Sequence, residues 1–327
     1  MPLAGRRYRR LKNLAASADR VTMTAVDELR GEVCVLKVAR ADSLDAQLLQ
    51  EEGRRLASLR HPALVRVSDH LVAVEGVLAD VLVTGFATEW IDGHTLSSVS
   101  LEVGKAERLQ LFAQLVEVVE YLHRFGLLHL DIKPDNVMVR GQQASLLDLG
   151  TARPLTVGVG EAGGTLGYAA PEVLLGEAAG PGADVFSLGV LLYELLSGRS
   201  PFEGSDGASL RDGLLAGHFV PLLSLVPDLD PAIAALCERM FARDVTLRPA
   251  DLRSVRQHLE ELGVRVPPRR GEPVRVAGED AEERAERQRL REGMGVLDDA
   301  RMAHGVFADP PRSGEVAAHP EGEGQEH

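Results

Sequence analysis

The run His129-Leu-Asp-Ile-Lys-Pro-Asp-Asn136, followed by Asp148-Leu-Gly150, carries the side chains of this chain best suited to reaction chemistry. Asp131 is a carboxylate able to orient a hydroxyl and take its proton, and Lys133 is a cation two residues further on. Asn136 and Asp148 offer the oxygen donors that hard magnesium ions prefer. Orienting a hydroxyl, neutralising a moving phosphoryl group and holding magnesium are what phosphoryl transfer requires. Any one of these residues alone reads as a turn residue or a solvated charge. Four together at this spacing, in an otherwise apolar neighbourhood, read as a site.

Lysine usage points to a further participant. Of 36 basic residues only Lys12, Lys37, Lys105 and Lys133 are lysine. A lysine kept against such a bias for arginine indicates a need for a compact ammonium rather than a planar fork. Lys37 lies in Val33-Cys-Val-Leu-Lys-Val38, whose period of two predicts a strand.

Taken together, these segments resemble the eukaryotic-like serine/threonine protein kinase family in its bacterial form. The resemblance implies that Asp131 is the catalytic base, that Lys133 faces the γ-phosphate, and that Asn136 and Asp148 hold magnesium on ATP. It implies that Lys37 holds the α- and β-phosphates and pairs with a helix glutamate, for which counting back from His61-Pro62 selects Glu52 over Glu51. Glu89-Trp-Ile-Asp-Gly93 resembles the hinge between lobes. Backbone groups of Glu89 and Ile91 are then expected on the adenine edge, with Thr88 at the back of the pocket and Val21, Val35 and Met138 as its walls.

Downstream the resemblance runs through Gly164-Thr165-Leu-Gly-Tyr168-Ala-Ala-Pro-Glu172, Asp184-Val-Phe-Ser-Leu-Gly189 and Leu247-Arg248-Pro249, so that it covers about residues 7–262. It implies a contact of Thr165 with Asp131 and a structural ion pair between Glu172 and Arg248, alongside a structural Asp184. Breaking a buried pair of that kind costs about 3–5 kcal/mol. These segments belong to protein-phosphorylating kinases, so the implied substrate is a protein with a serine or threonine acceptor.

Two departures stand out. A phosphate-covering loop uses glycines so that backbone amides approach the phosphates, yet counting back from Val21 puts Leu14, Ala16 and Asp19 at those positions. With Asp19 about 5 Å from a phosphate and an effective dielectric near 20, the repulsion is on the order of 3 kcal/mol. This is the main support for the alternative reading, a pseudokinase acting as a weakly nucleotide-binding scaffold. The second departure is Leu130, where many kinases carry an arginine that clamps a phosphorylated activation loop. Without that clamp a loop phosphate gains little, so activity independent of such a phosphate is expected, with Thr156 the position to test.

The elements that must position these groups follow from the apolar pattern. Val21–Val26, Val33–Val38 and Val81–Phe86 alternate as antiparallel strands, and Ser43 caps a helix whose stripe is Leu48, Leu49, Glu52, Leu56 and Leu59 before Pro62. After Asp92-Gly93 the pattern turns helical, with helices expected over 106–125, 182–197, 231–241 and 249–262. The expected fold is α+β and two-lobed: a β-rich first lobe over about 7–91, a hinge at about 89–93 and a mainly α lobe over 94–264. Residues 265–327 are rich in proline, glycine and charge and read as a flexible tail, with a polar helix near Glu279–Arg291 and partner docking as the minority reading.

Composition narrows the function. An apolar share of 45% suits a globular chain, and a net charge of −13 disfavours nucleic acid and anionic membranes. There is no apolar run near the roughly 20 residues of a membrane span and no signal-peptide stretch after Met1, so a cytoplasmic location is expected. Cys34 and Cys237, the only cysteines, lie in apolar stretches and read as buried structural residues.

Overall fold

Period-two alternation in the first ninety residues becomes one antiparallel sheet. The computed structural model describes residues 7–78, 81–98, 103–155, 158 and 164–265. Strands β1 (Tyr8–Ala16), β2 (Arg20–Asp27) and β3 (Glu32–Arg40) are followed by helix α1 (Leu44–Ser58) and then by β4 (Val67–Leu78) and β5 (Val81–Glu89). Their order across the sheet is β1-β2-β3-β5-β4. Along β3, Cys34, Leu36 and Val38 face a core built with Tyr8, Met23, Ala25, Leu71 and Val83. Because successive side chains alternate faces, Lys37 and Ala39 point the other way, toward α1.

Helix α1 begins where Ser43 accepts a hydrogen bond from the Ala46 N–H at 3.2 Å. Its buried stripe is Ala46, Leu49, Glu52, Gly53 and Leu56, so Glu52 faces inward while Glu51 is exposed. Gly53 lets the helix approach the sheet closely enough for Glu52 to reach Lys37, and Gly85 lets β5 lie close against β3 beside Lys37. A Cβ on Gly53 would stand 2.8 Å from the Phe86 ring, and one on Gly85 would stand 2.0 Å from the Lys37 carbonyl oxygen. Gly85 also adopts φ of 158°, which L side chains rarely accept.

The second lobe follows the hinge with β6 (His94–Thr95), α2 (Lys105–Arg124), β7 (Leu127–Leu128), β8 (Val137–Arg140), β9 (Gln143–Leu146) and β10 (Arg153–Pro154). Helices α3 (Pro171–Leu174), α4 (Pro181–Ser197), α5 (Gly207–Ala216), α6 (Leu222–Leu225), α7 (Pro231–Met240) and α8 (Leu252–Glu261) complete it. Helices α2 and α4 are buried along most of their length and form its core with Tyr193, Phe202 and Phe241. The lobes are pinned where Leu146 donates to the Ala63 carbonyl at 2.8 Å and accepts from the Val65 N–H at 3.0 Å.

The strands and the first four helices expected from the sequence lie close to where the pattern puts them. The last helix is shorter than 249–262, because Asp251 accepts from the Ser254 N–H at 2.8 Å and starts α8 only at Leu252. Helix α5 was not expected. Its signal was the pair Asp206 and Ser209, which form a reciprocal capping box. The expected helix near Glu279–Arg291 and the rest of 266–327 lie outside the described residues. Both cysteines are buried, and burial pushes the Cys34 thiol up to about 12, which leaves it unreactive near neutral pH.

Candidate active site

The loop from β7 to β8 is held by a carboxylate beneath it. Asp184, on α4 and fully buried, accepts from the backbone N–H groups of His129 and Leu130, both at 2.8 Å, and bonds His123 Nε2 at 2.8 Å. Burial alone would push its carboxyl up; the His123 hydrogen bond and the two N–H donors hold it below the usual range. Leu130 is held at φ of 64°, a left-handed conformation that costs roughly 1–2 kcal/mol for an L residue. That bend brings Asp131 out of the core. Burial lowers His129 below its ordinary value, and its Nδ1 accepts the Asp131 N–H at 3.2 Å.

Asp131 sits in a closed set of polar contacts. Its Oδ1 accepts from the Thr165 hydroxyl at 2.5 Å and from the Thr165 N–H at 3.2 Å, while Oδ2 lies 3.0 Å from Lys133 Nζ. Lys133 also donates to Thr165 Oγ1 at 2.7 Å. Asn136 Nδ2 donates to the Asp131 carbonyl at 2.8 Å and to Oδ2 at 2.9 Å, which turns its amide oxygen away from Asp131. Each of these contacts fixes a rotamer that would otherwise be free, so the carboxylate is oriented in advance.

The second cluster joins the lobes. Lys37 Nζ lies 2.7 Å from Glu52 Oε1 and 2.8 Å from Asp148 Oδ2. Asp148 Oδ1 accepts the Gly150 N–H at 2.7 Å. Burial would raise the Asp148 carboxyl, but Lys37 beside it overrides that and holds it well below the carboxylate range. Burial pushes the Glu52 carboxyl up, against the pull of Lys37.

The remaining expected positions are distributed around the two clusters. Thr88 is buried on β5 opposite Val35 of β3, and Val21 on β2, Val35 and Met138 on β8 are all half-buried. In the hinge, Glu89 N–H donates to the Arg66 carbonyl at 3.0 Å and the Ile91 carbonyl accepts from Gly93 at 2.9 Å. Glu172 and Arg248 form a two-pronged pair at 2.8 and 2.9 Å, and Arg248 also donates to the carbonyls of Ala242, Gly182 and Arg243. Its guanidinium lies over the Phe186 ring, 5.0 Å from the centroid.

The loop between β1 and β2 carries Asp19. It is a tight turn closed by Ser17 N–H on the Arg20 carbonyl at 2.8 Å, and the Asp19 carboxylate turns toward Arg40, 3.8 Å away. Both groups are about half exposed, so this pair is weak. Leu14 is exposed, as is Ala16.

Two contributors were missed from the sequence. Arg20 reaches Glu52 at 3.4 Å, and Arg55 on α1 donates to the Ala152 carbonyl at 2.7 Å. Arginine is so common here that neither stood out, although Arg20 directly follows the glycine-free turn.

Comparison with known proteins agrees with this geometry. The protein kinase domain profile matches residues 18–259. The serine/threonine-protein kinase PknA of Mycobacterium tuberculosis is 32% identical over 259 residues, covering 74% of this chain and 58% of that protein. The probable serine/threonine-protein kinase PknB of Bifidobacterium longum is 28% identical over 260 residues, covering 74% of this chain and 37% of that protein. This chain thus spans only part of the length of the curated relatives it matches. With the profile running from the turn before β2 to the end of α8, and through both polar clusters, the chain belongs to the protein kinase family.

Proposed function

We propose that the chain is a serine/threonine protein kinase that transfers the γ-phosphoryl group of magnesium-ATP to a hydroxyl of a protein substrate. The observation that carries this reading is the bonding of Asp131 to both Thr165 and Lys133, which puts a proton acceptor and a cation at one point. Asp131 orients the acceptor hydroxyl and takes its proton as the oxygen attacks phosphorus. Lys133 neutralises charge on the moving group, and Thr165 keeps both side chains in register.

Lys37, fixed by Glu52, is the cation for the α- and β-phosphates. The oxygen donors suit magnesium: Asn136 spends its amide nitrogen on Asp131, leaving its oxygen as the ligand end, and the depressed Asp148 carboxyl is ionised at neutral pH. Bound there, magnesium would neutralise charge on the phosphate oxygens. The adenine edge is assigned to backbone groups of Glu89 and Ile91, with Thr88, Val21, Val35 and Met138 around the ring. Among the described residues no helix is long and apolar enough to cross a membrane, and a cytoplasmic location fits this reading.

The test is transfer of labelled phosphate from magnesium-ATP to a generic basic protein and to the chain itself, with Asp131→Asn in parallel. Transfer that is lost in the variant supports the kinase. Absence of transfer by the unaltered chain, together with no thermal shift on adding ATP and magnesium, would replace it with the scaffold reading.

A further inference from the structure

Behind the hinge lies a cavity of about 460 Å³ whose lining includes Arg60, Arg66, Glu89, Trp90, Arg140 and Gln143. It shares no residue with the Lys37 or Asp131 clusters, and its volume falls within the roughly 300–1,000 Å³ of ligand sites. Its lining holds three arginines and one carboxylate, and that carboxylate is already taken: Arg66 bonds Glu89 Oε2 through Nε at 3.1 Å and Nη2 at 2.8 Å.

Arg60 is anchored by Nη1 to the carbonyls of Ala57 and Leu59 at 2.7 and 2.8 Å, which positions its guanidinium against the C-terminal end of α1. Arg140, exposed at the end of β8, makes no ion pair among the described residues. The local excess of positive charge sits on a chain whose net charge is −13. Trp90, half-buried at the same cavity, adds a flat apolar surface beside the cations. Tryptophan and arginine are the residue types that most often dominate protein binding sites.

We propose that this cavity docks a short acidic segment of a partner protein, with Arg60 and Arg140 taking its carboxylates and Trp90 packing against its chain. A single inorganic anion would leave most of the volume and the indole unused. A long polyanion such as nucleic acid would meet the repulsion of the remaining acidic surface. The docking chemistry does not depend on the kinase reading, because the side chains of Arg60, Arg140 and Trp90 have no part in the proposed transfer.

Trp90 is the only tryptophan, so its emission reports on this cavity and on the hinge residues Glu89 and Ile91 beside it. Tetraglutamate blocked at both ends is titrated into the full chain without nucleotide, with blocked tetraglutamine as control. The expected result is a saturable change with tetraglutamate only, weakened about tenfold by Arg140→Ala or Arg60→Ala, and weakened by about 0.5 M salt as exposed charge pairs are screened. No change up to millimolar peptide, an equal response to tetraglutamine, or full binding by both variants overturns the proposal. So does an identical change with inorganic phosphate alone, which would make it an anion site. About tenfold tighter binding after removal of residues 266–327 would name the chain's own tail as occupant and overturn the partner assignment.

Discussion

Arg20 Nη2 stands 3.4 Å from Glu52 Oε2, while the other oxygen of the same carboxylate stands 2.7 Å from Lys37. One buried glutamate thus serves two cations from adjacent strands. Arg20 follows the glycine-free turn that carries Asp19, and its side chain is a third exposed, so it is free enough to exchange Glu52 for a phosphate. A guanidinium supplies there the donors that close backbone approach would have given. Arg20→Ala is expected to raise the KM for ATP about tenfold, the equivalent of about 1.4 kcal/mol, while kcat stays within about threefold. Arg20→Lys should recover part of the loss. A fall in kcat with KM unchanged would assign Arg20 to holding Glu52 instead.

Thr165 both donates to Asp131 at 2.5 Å and accepts from Lys133 at 2.7 Å, so its hydroxyl is the hub of the catalytic cluster. Its removal takes one partner from Asp131 and one from Lys133, while Asn136 and the Thr165 N–H still hold the Asp131 carboxylate. Thr165→Ala should lower kcat by about ten- to a hundredfold, in keeping with the loss of one or two charge-assisted hydrogen bonds at about 1.5–3 kcal/mol each before the partners readjust. Thr165→Ser should restore most of it. Equal loss in both variants would trace the effect to the methyl group, and steady-state rates at saturating ATP decide between them.

How much of this was legible can be argued residue by residue. Lys37 stood out because lysine is rare here and its strand resembles the family's; Glu52 was selected over Glu51 by counting back from His61-Pro62, and the buried face of α1 holds Glu52 and not Glu51. Both rest on short stretches of sequence. The turn of Asp19 toward Arg40 was not legible, since it depends on how β2 and β3 pair around the turn. Leu130 was noted only for the missing guanidinium. Its positive φ, held by Asp184 from 54 residues away, comes from tertiary contacts that override the preference of leucine.

Asp184 makes the fold sensitive to acid in a defined sense. Its folded-state carboxyl lies below the ordinary value of 3.8, so the unfolded chain binds that proton more readily. Its contribution to stability is therefore complete above the unfolded value and is lost as pH falls through the lower, folded one. Asp184→Asn, which keeps the size but not the charge, should lower stability at pH 7. It should also flatten the fall in stability below about pH 4 relative to the unaltered chain. Denaturant midpoints measured from pH 7 to pH 3 test this, and parallel curves for the two proteins would show that other carboxylates govern the acid limb.

The start of the segment after Asp148 is tied down by three hydrogen bonds. Arg55 donates to the Ala152 carbonyl at 2.7 Å, Thr151 Oγ1 to the His129 carbonyl at 2.9 Å, and Leu155 N–H to the Gly126 carbonyl at 3.0 Å. Arg55 lies one helical turn beyond Glu52 on α1, so the same helix that fixes Lys37 also fixes the segment after Asp148. A loop phosphate would find no arginine at Leu130, and we propose that the Arg55 tether does that positioning. Arg55→Ala is expected to lower kcat about three- to tenfold, matching one charge-assisted hydrogen bond of about 1.5 kcal/mol at most half exposed. The KM for ATP should hardly move, because Lys37 and Glu52 keep their contact. Thr156 lies outside the described residues, and Thr156→Ala should leave turnover unchanged. A loss above about tenfold in that variant, or restoration of the Arg55→Ala defect by phosphorylating the segment, would mean that a phosphate does the work assigned to Arg55.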